Sequence, residues 1–170
     1  WEGGHRVPFL VRWPGRVEPG SRSNQLIAHV DILATFAALL GRALKADEGP
    51  DSFNVLPAIV GNPDKPIRDH VVLAPHDRKH LAIREGKWVY IGAQGSGGFG
   101  NGLAEIAFTG QTNSDVATNG QIKPDAPPVQ LYDLDADPFQ TKNVCREHPE
   151  VVDRLRTKLE RLRKEDRSAP

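Results

Sequence analysis

The chain has no methionine and only one cysteine among its 170 residues. Without Met, and opening on Trp1 within an apolar-rich phrase, it is expected to be a mature chain or a piece of a longer polypeptide. The lone thiol, Cys145, excludes an internal disulfide framework and a cysteine-based zinc site; it is expected to be a half-buried, small apolar side chain. Neither sign of charge is in excess, with 22 Lys and Arg against 22 Asp and Glu. That balance argues against a general nucleic-acid binder and against a binder of anionic membranes. No run approaches the roughly 18 uninterrupted apolar residues of a membrane span. The segment Trp1–Arg6 lacks the charged head and apolar core of a signal peptide. What is present is ordinary globular composition, with 38% hydrophobic residues. A chain this long buries roughly 70% of its unfolded surface, enough for one core or two small ones.

Hydrophobic patterning divides the chain. Val7-Pro8-Phe9-Leu10-Val11-Arg12-Trp13, closed by Pro14-Gly15, reads as a strand buried on both faces, as in a parallel sheet. Asp31 is placed to cap a helix in which Ile32, Leu33, Phe36, Leu39 and Leu40 recur at helical spacing. Phe53–Gly61 suggests one or two further turns. Asn62-Pro63-Asp64-Lys65-Pro66 is a cluster of breakers and the expected domain boundary, giving domains 1–62 and 67–170.

Beyond that boundary, His70–Leu73, Leu81–Arg84 and Lys87–Ile91 read as short strands, with a hairpin turn at Glu85-Gly86. A Gly-rich insertion covers 92–130, with six glycines between Gly92 and Gly102 and a short turn expected near Leu103–Phe108. Gln130–Leu134 reads as a last strand. Pro149 opens a helix with an apolar stripe of Val151, Val152, Leu155, Leu159 and Leu162, leaving Arg156 and Lys158 on its outer face. The fold class expected is α/β: the end of an α/β domain followed by a small α+β subdomain with an antiparallel sheet and a C-terminal helix.

Most local motifs have plain readings. Gly95-Ser96-Gly97-Gly98-Phe99-Gly100 has the G-x-G-x-x-G spacing, but no βαβ unit surrounds it, so it reads as a flexible loop. Asp133, Asp135 and Asp137 resemble the opening of a calcium loop, but Pro138 and Val144 stand where Gly and Glu are required. A strand end followed by an Asp-Pro turn explains them better. His76 and His80 are four apart in a turn-like segment that does not suit a metal pair. Glu2-Gly3-Gly4-His5-Arg6 differs: two glycines admit close approach, and a carboxylate, an imidazole and a guanidinium crowd beside them. The cluster is either a structural turn or an anion-binding site.

Trp1-Glu-Gly-Gly-His-Arg-Val-Pro-Phe-Leu-Val-Arg-Trp-Pro-Gly15 resembles a late segment of the type I, formylglycine-dependent sulfatases. Val30–Thr35 is similar to the helix that follows it in that family, and Asp51-Ser52-Phe53 with Leu56 and Pro57 to a later phrase. Leu131-Tyr132-Asp133-Leu134-Asp135-Ala136-Asp137-Pro138, with Asn143, resembles the family's last strand and Asp-Pro turn. The resemblance follows the family's order along the whole chain, least closely in the insertion, which looks similar to that of bacterial polysaccharide-type members.

The resemblance implies an alkaline-phosphatase-like fold and a parent enzyme hydrolysing sulfate esters. In the family a Cys or Ser becomes formylglycine, and a calcium ion held by Asp and Asn stabilises the sulfate. Neither the nucleophile motif nor the metal motifs match a position here; Cys145 is followed by Arg146-Glu147-His148 and is not the maturation cysteine. A sulfate-binding lysine is implied a few residues before Trp1.

The chain is therefore expected to be a C-terminal sulfatase fragment, inactive alone and binding no calcium, with no catalytic residue of its own. By the same resemblance His5 and His76 are candidate substrate contacts, and Glu2, Gly3, Gly4 and Arg6 are structural residues near the site, with Arg6 bracing the turn. The expected partner is a sulfated small molecule or carbohydrate. The parent is expected to be exported to the periplasm, the cell surface or the medium; the lack of an N-x-S/T sequon suits a bacterial source. The alternatives are a fragment of a related phosphatase or phosphonate hydrolase, and a noncatalytic carbohydrate-binding or scaffold module.

Overall fold

The computed structural model describes residues 1–45, 47–61, 63–98 and 112–169. The turn expected near Leu103–Phe108 and the end of the G-x-G-x-x-G stretch lie outside the described residues. Two compact units emerge. The first joins Trp1–Arg6 to Val72–Arg161, and the second joins Val7–Val71 to Leu162–Pro170. Packing thus divides the chain after Arg6, Val71 and Arg161.

A four-stranded sheet runs in the order β1-β2-β3-β4. The strands are β1 (His70–Leu73), β2 (Ala82–Glu85), β3 (Trp88–Ile91) and β4 (Gln130–Asp133). β2 and β3 form an antiparallel hairpin in which Glu85 faces Trp88 across the Gly86-Lys87 turn. Gly86 sits at φ +57, a left-handed conformation that a side chain would strain. β3 and β4 are also antiparallel, with Val89 opposite Tyr132. Period-two alternation brings Ala82, Val89, Ile91, Tyr132 and Leu134 into one cluster, with Trp1 and Leu73 packed on it.

The closing helix α3 spans Pro149–Glu165. Its stripe of Val151, Val152, Leu155, Leu159 and Leu162 is buried as the periodicity indicates. Arg154 and Lys158, one turn apart, both reach the Glu85 carboxylate on β2. Lys158 therefore does not face away from the sheet, and only 16% of its side chain is exposed. Cys145 is more deeply buried than expected, at 8% exposure, and burial pushes its thiol up from the ordinary range.

In the second unit α1 covers Ile32–Leu39 and α2 covers Leu56–Val60. A small cluster joins Phe53, Val55 and Ala169, with Ile27, Ile59 and Ile67 against it. The main-chain N–H groups of Ser168 and Ala169 both donate to Pro50 O, which fixes the chain's last residues here.

Three expectations are corrected in this unit. Val7–Trp13 is extended but belongs to no strand, and Leu10 is 92% exposed. A strand buried on both faces needs neighbours to accept its main chain, and the described residues supply none. The α1 stripe has the right period, but Ile32, Leu33, Phe36, Leu39 and Leu40 are all exposed; Thr35 and Ala37 are the buried positions. Asp31 makes no side-chain cap for α1. Its carboxylate instead accepts from Ala28 N at 2.7 Å and Phe53 N at 3.0 Å, because Arg68 draws it inward at 2.7 and 2.8 Å.

Candidate functional site

The Trp1–Arg6 segment forms one 3-10 turn over Glu2–Gly4. Trp1 O accepts from Gly4 N, and Glu2 O accepts from both His5 N and Arg6 N. The turn is anchored from the sheet. Trp1 Nε1 donates to Gln130 Oε1 at 2.9 Å, and Glu2 N donates to Gln140 Oε1 at 2.6 Å. Gln130 opens β4, and Gln140 follows the Asp-Pro turn at φ +55, a left-handed value uncommon outside glycine. Asn113 closes the circuit, donating to Gln140 O at 2.7 Å and to the Tyr132 hydroxyl at 2.9 Å. That hydroxyl donates to Gln130 Oε1 at 2.6 Å, and burial holds its phenol well above the ordinary range.

The turn directs its charged residues differently. Glu2 is buried at 4% exposure. Its Oε2 lies 3.4 Å from Arg84 Nη1 on β2, and its Oε1 lies 3.7 Å from His5 Nε2. His5 keeps a third of its side chain exposed. Its imidazole is pushed below the ordinary range, first by burial and against the pull of Glu2. It is therefore a neutral group at neutral pH, able to donate or accept.

Arg84 on β2 reaches the Glu2 carboxylate of the turn, and Arg6 is exposed. Gly3 and Gly4 are exposed, and a Cβ at either would meet nothing within 4 Å. Neither glycine is required by packing inside this chain.

His76 is exposed in the turn after β1. That turn is tied to the Gly-rich loop by Asp77 N donating to Gly97 O at 3.0 Å. Gly97 is required there: its φ is +71 and a Cβ would sit 2.5 Å from His80 Cβ. His80 Nε2 lies 2.6 Å from Gln94 O, a structural contact. Glu2 and His5 are thus brought together, while His76 belongs to a neighbouring stretch linked to the loop.

Asp133 and Asp137 accept from nearby backbone, and Asp133 Oδ2 also pairs with Lys87 Nζ at 2.6 Å. Asp133 Oδ1 accepts from Asp135 N and Ala136 N, and Asp137 Oδ2 from Lys142 N. Part of the polar stretch before β4 is also packed. Asn113, Asp115 and Val116 are buried, and Asn143 Nδ2 donates to Asp115 Oδ2 at 2.6 Å. Gln130, Gln140, Asn113 and Arg84 are the residues that sequence reasoning missed. Gln130 alone carried a signal, as a polar residue opening a strand whose next two residues are Leu131 and Tyr132.

The Sulfatase family model matches residues 1–42 of the chain. The whole chain is similar to particular members. It is 35% identical over 163 residues to the N-acetylgalactosamine-6-O-sulfatase of Bacteroides thetaiotaomicron, covering 96% of this chain and 28% of that protein. It is 31% identical to the ulvan-active sulfatase of Formosa agariphila, over 84% of this chain and 29% of that one.

Structural similarity agrees. A solved structure from work on the metabolism of multiple glycosaminoglycans by Bacteroides thetaiotaomicron matches with TM-score 0.68 and 32% identity, over 96% of this chain and 30% of its own. The antiparallel sheet and C-terminal helix are shared with it. A structure holding its substrate D-glucosamine-2-N,6-O-disulfate matches at TM-score 0.57 and 21% identity, over 90% of this chain and 27% of its own, and speaks to the fold alone. The chain spans less than a third of the length of the curated relatives named here.

Proposed function

We propose that this chain is the C-terminal part of an exported sulfatase that hydrolyses sulfate esters of carbohydrates. The observation that carries this reading is 35% identity to an N-acetylgalactosamine-6-O-sulfatase sustained over 96% of the chain. The family-model match over residues 1–42 includes the Glu2–Arg6 turn.

In this reading the formylglycine nucleophile and the calcium ion come from sequence outside the chain. Among the described residues no three His, Cys, Asp or Glu side chains gather as metal ligands. These residues do not fit a calcium site, and no step assigned to the chain runs through one. The chain's part is to bind and orient. Gly3 and Gly4 leave uncovered backbone beside His5, and no packing in this chain explains their lack of a side chain. His5, neutral and partly exposed, offers a hydrogen bond to a sulfate or sugar oxygen. Glu2, held by Arg84 and Gln140, backs the imidazole and keeps the turn closed. His76 is a second contact from the neighbouring turn.

The test compares this chain alone with a polypeptide extended upstream to the length of the relatives. Both are assayed on a sulfated N-acetylgalactosamine saccharide, an aryl sulfate and an aryl phosphate. Sulfate release by the extended polypeptide only is expected. Turnover by the isolated chain, or preferential phosphate release, would overturn the reading.

A further inference from the structure

The carboxamide of Gln130 is saturated. Its oxygen accepts from Trp1 Nε1 and the Tyr132 hydroxyl, and its nitrogen donates to Ala93 O at 2.6 Å and Gly95 O at 2.8 Å. An amide offers two acceptor positions and two donors, and each is used once. The side chain is 1% exposed, so none of these bonds can be exchanged for water without opening the fold. Two segments that are far apart in sequence therefore meet on one rigid group. The oxygen holds the turn that carries Glu2 and His5. The nitrogen holds the start of the Gly-rich loop, which two residues later, at Gly97, accepts from Asp77 in the His76 turn.

We infer that Gln130 is a positioning residue, through which the His5 turn and the Gly-rich loop with its attached His76 turn are kept in register for a saccharide substrate. This rests on the sulfatase reading above. A sulfated sugar contacted from both segments needs their separation fixed to a fraction of an ångström, because misplaced groups lose binding energy in the transition state. A small aryl sulfate, which has no sugar ring to reach the loop, depends on that register far less.

The two halves of the amide can be broken separately. Gln130→Glu keeps the acceptors for Trp1 and Tyr132 but removes both donors to the loop and sets a carboxylate against two carbonyls. Trp1→Phe removes only the indole donor on the turn side and keeps an aromatic ring in the cluster. Gln130→Leu removes all four bonds.

The experiment uses the upstream-extended polypeptide with two readouts. In hydrogen exchange, Gln130→Glu is expected to speed exchange in residues 92–98, Trp1→Phe in residues 1–6, and Gln130→Leu in both. In kinetics, each variant is expected to raise KM for the sulfated saccharide about tenfold, the worth of one well-placed hydrogen bond, and to cost less on an aryl sulfate, which keeps only the contact to the sulfate. Equal losses on both substrates, in step with the folded fraction, would overturn the positioning role and leave Gln130 as architecture. Trp1→Phe is the mild variant that decides this if Gln130→Glu fails to fold. A wild type that releases no sulfate overturns the sulfatase reading instead, and the exchange pattern then decides the coupling by itself: unchanged exchange in all three variants contradicts it.

Discussion

Asp31 and Arg68 are joined through a single guanidinium nitrogen, Arg68 Nη1, which lies 2.7 Å from one carboxylate oxygen and 2.8 Å from the other. Both side chains are almost wholly buried. Arg68 Nε donates to His70 O at 2.8 Å, and the guanidinium stacks 4.5 Å from the Phe53 ring centroid. The pair therefore ties the turn before α1, the stretch at Phe53 and the entry to β1 within one unit. Breaking a buried pair from one side leaves an uncompensated charge. Arg68→Met is expected to cost about 3–5 kcal/mol, read as a shift in the denaturant midpoint with an unchanged slope. A cost below about 1 kcal/mol would show that the carboxylate is satisfied by the backbone N–H groups of Ala28 and Phe53 alone.

The closing helix supplies a graded series. Leu155→Ala and Leu159→Ala are each expected to cost about 2–5 kcal/mol, as buried Leu truncations do. Arg156→Ala, on the exposed face, is expected to stay within about 0.5 kcal/mol. Lys158→Ala is expected to fall between them at about 0.5–1 kcal/mol, since it loses one of the two cations on Glu85. Urea melts of the four variants order them.

Acid should act on the His5 turn with a definite sign. Burial pushes the His5 imidazole below its ordinary range; Glu2 opposes the shift, and Arg84 adds to it. The unfolded chain then takes up the proton more readily than the folded one. The stability from this group is complete above about pH 6.5 and falls as pH drops through the folded value. Melting curves between pH 7.5 and 5 are expected to fall more steeply for wild type than for His5→Gln. A steeper fall in the variant would reverse the sign.

The exposed stripe of α1 makes a separate prediction. Phe36→Lys with Leu40→Glu removes two large apolar groups that are 59% and 80% exposed. The cost is expected to be within about 0.5 kcal/mol per site, with reduced binding of a hydrophobic dye. Substantial unfolding would mean that these side chains have partners in this chain.

The elements legible in the sequence were those whose burial is decided locally. The β2–β3 hairpin follows from Gly86, and α3 from Pro149 and an apolar stripe that is buried. Period alone could not say whether a partner surface exists, which is why Val7–Trp13 and α1 were expected in a core they do not reach here. The site was half legible. Its glycines and charged residues stand together in sequence, but the groups that hold them do not. Gln130, Gln140 and Arg84 act across 129, 138 and 82 residues, and long-range hydrogen bonds of single amides leave no periodic trace. Arg84, on β2, reaches the Glu2 carboxylate from another element.

The most direct measurement is sulfate release by the upstream-extended polypeptide, wild type against His5→Ala and His76→Ala, on a sulfated N-acetylgalactosamine saccharide with melting curves alongside. Loss of one hydrogen bond to a charged substrate is worth about 1.5–3 kcal/mol, so kcat/KM for His5→Ala is expected to fall roughly 10- to 150-fold with the melting temperature unchanged. His76→Ala is expected to lose less. A His5→Ala enzyme within twofold of wild type, or one whose activity falls only in step with its melting temperature, would contradict a substrate-binding role for the turn.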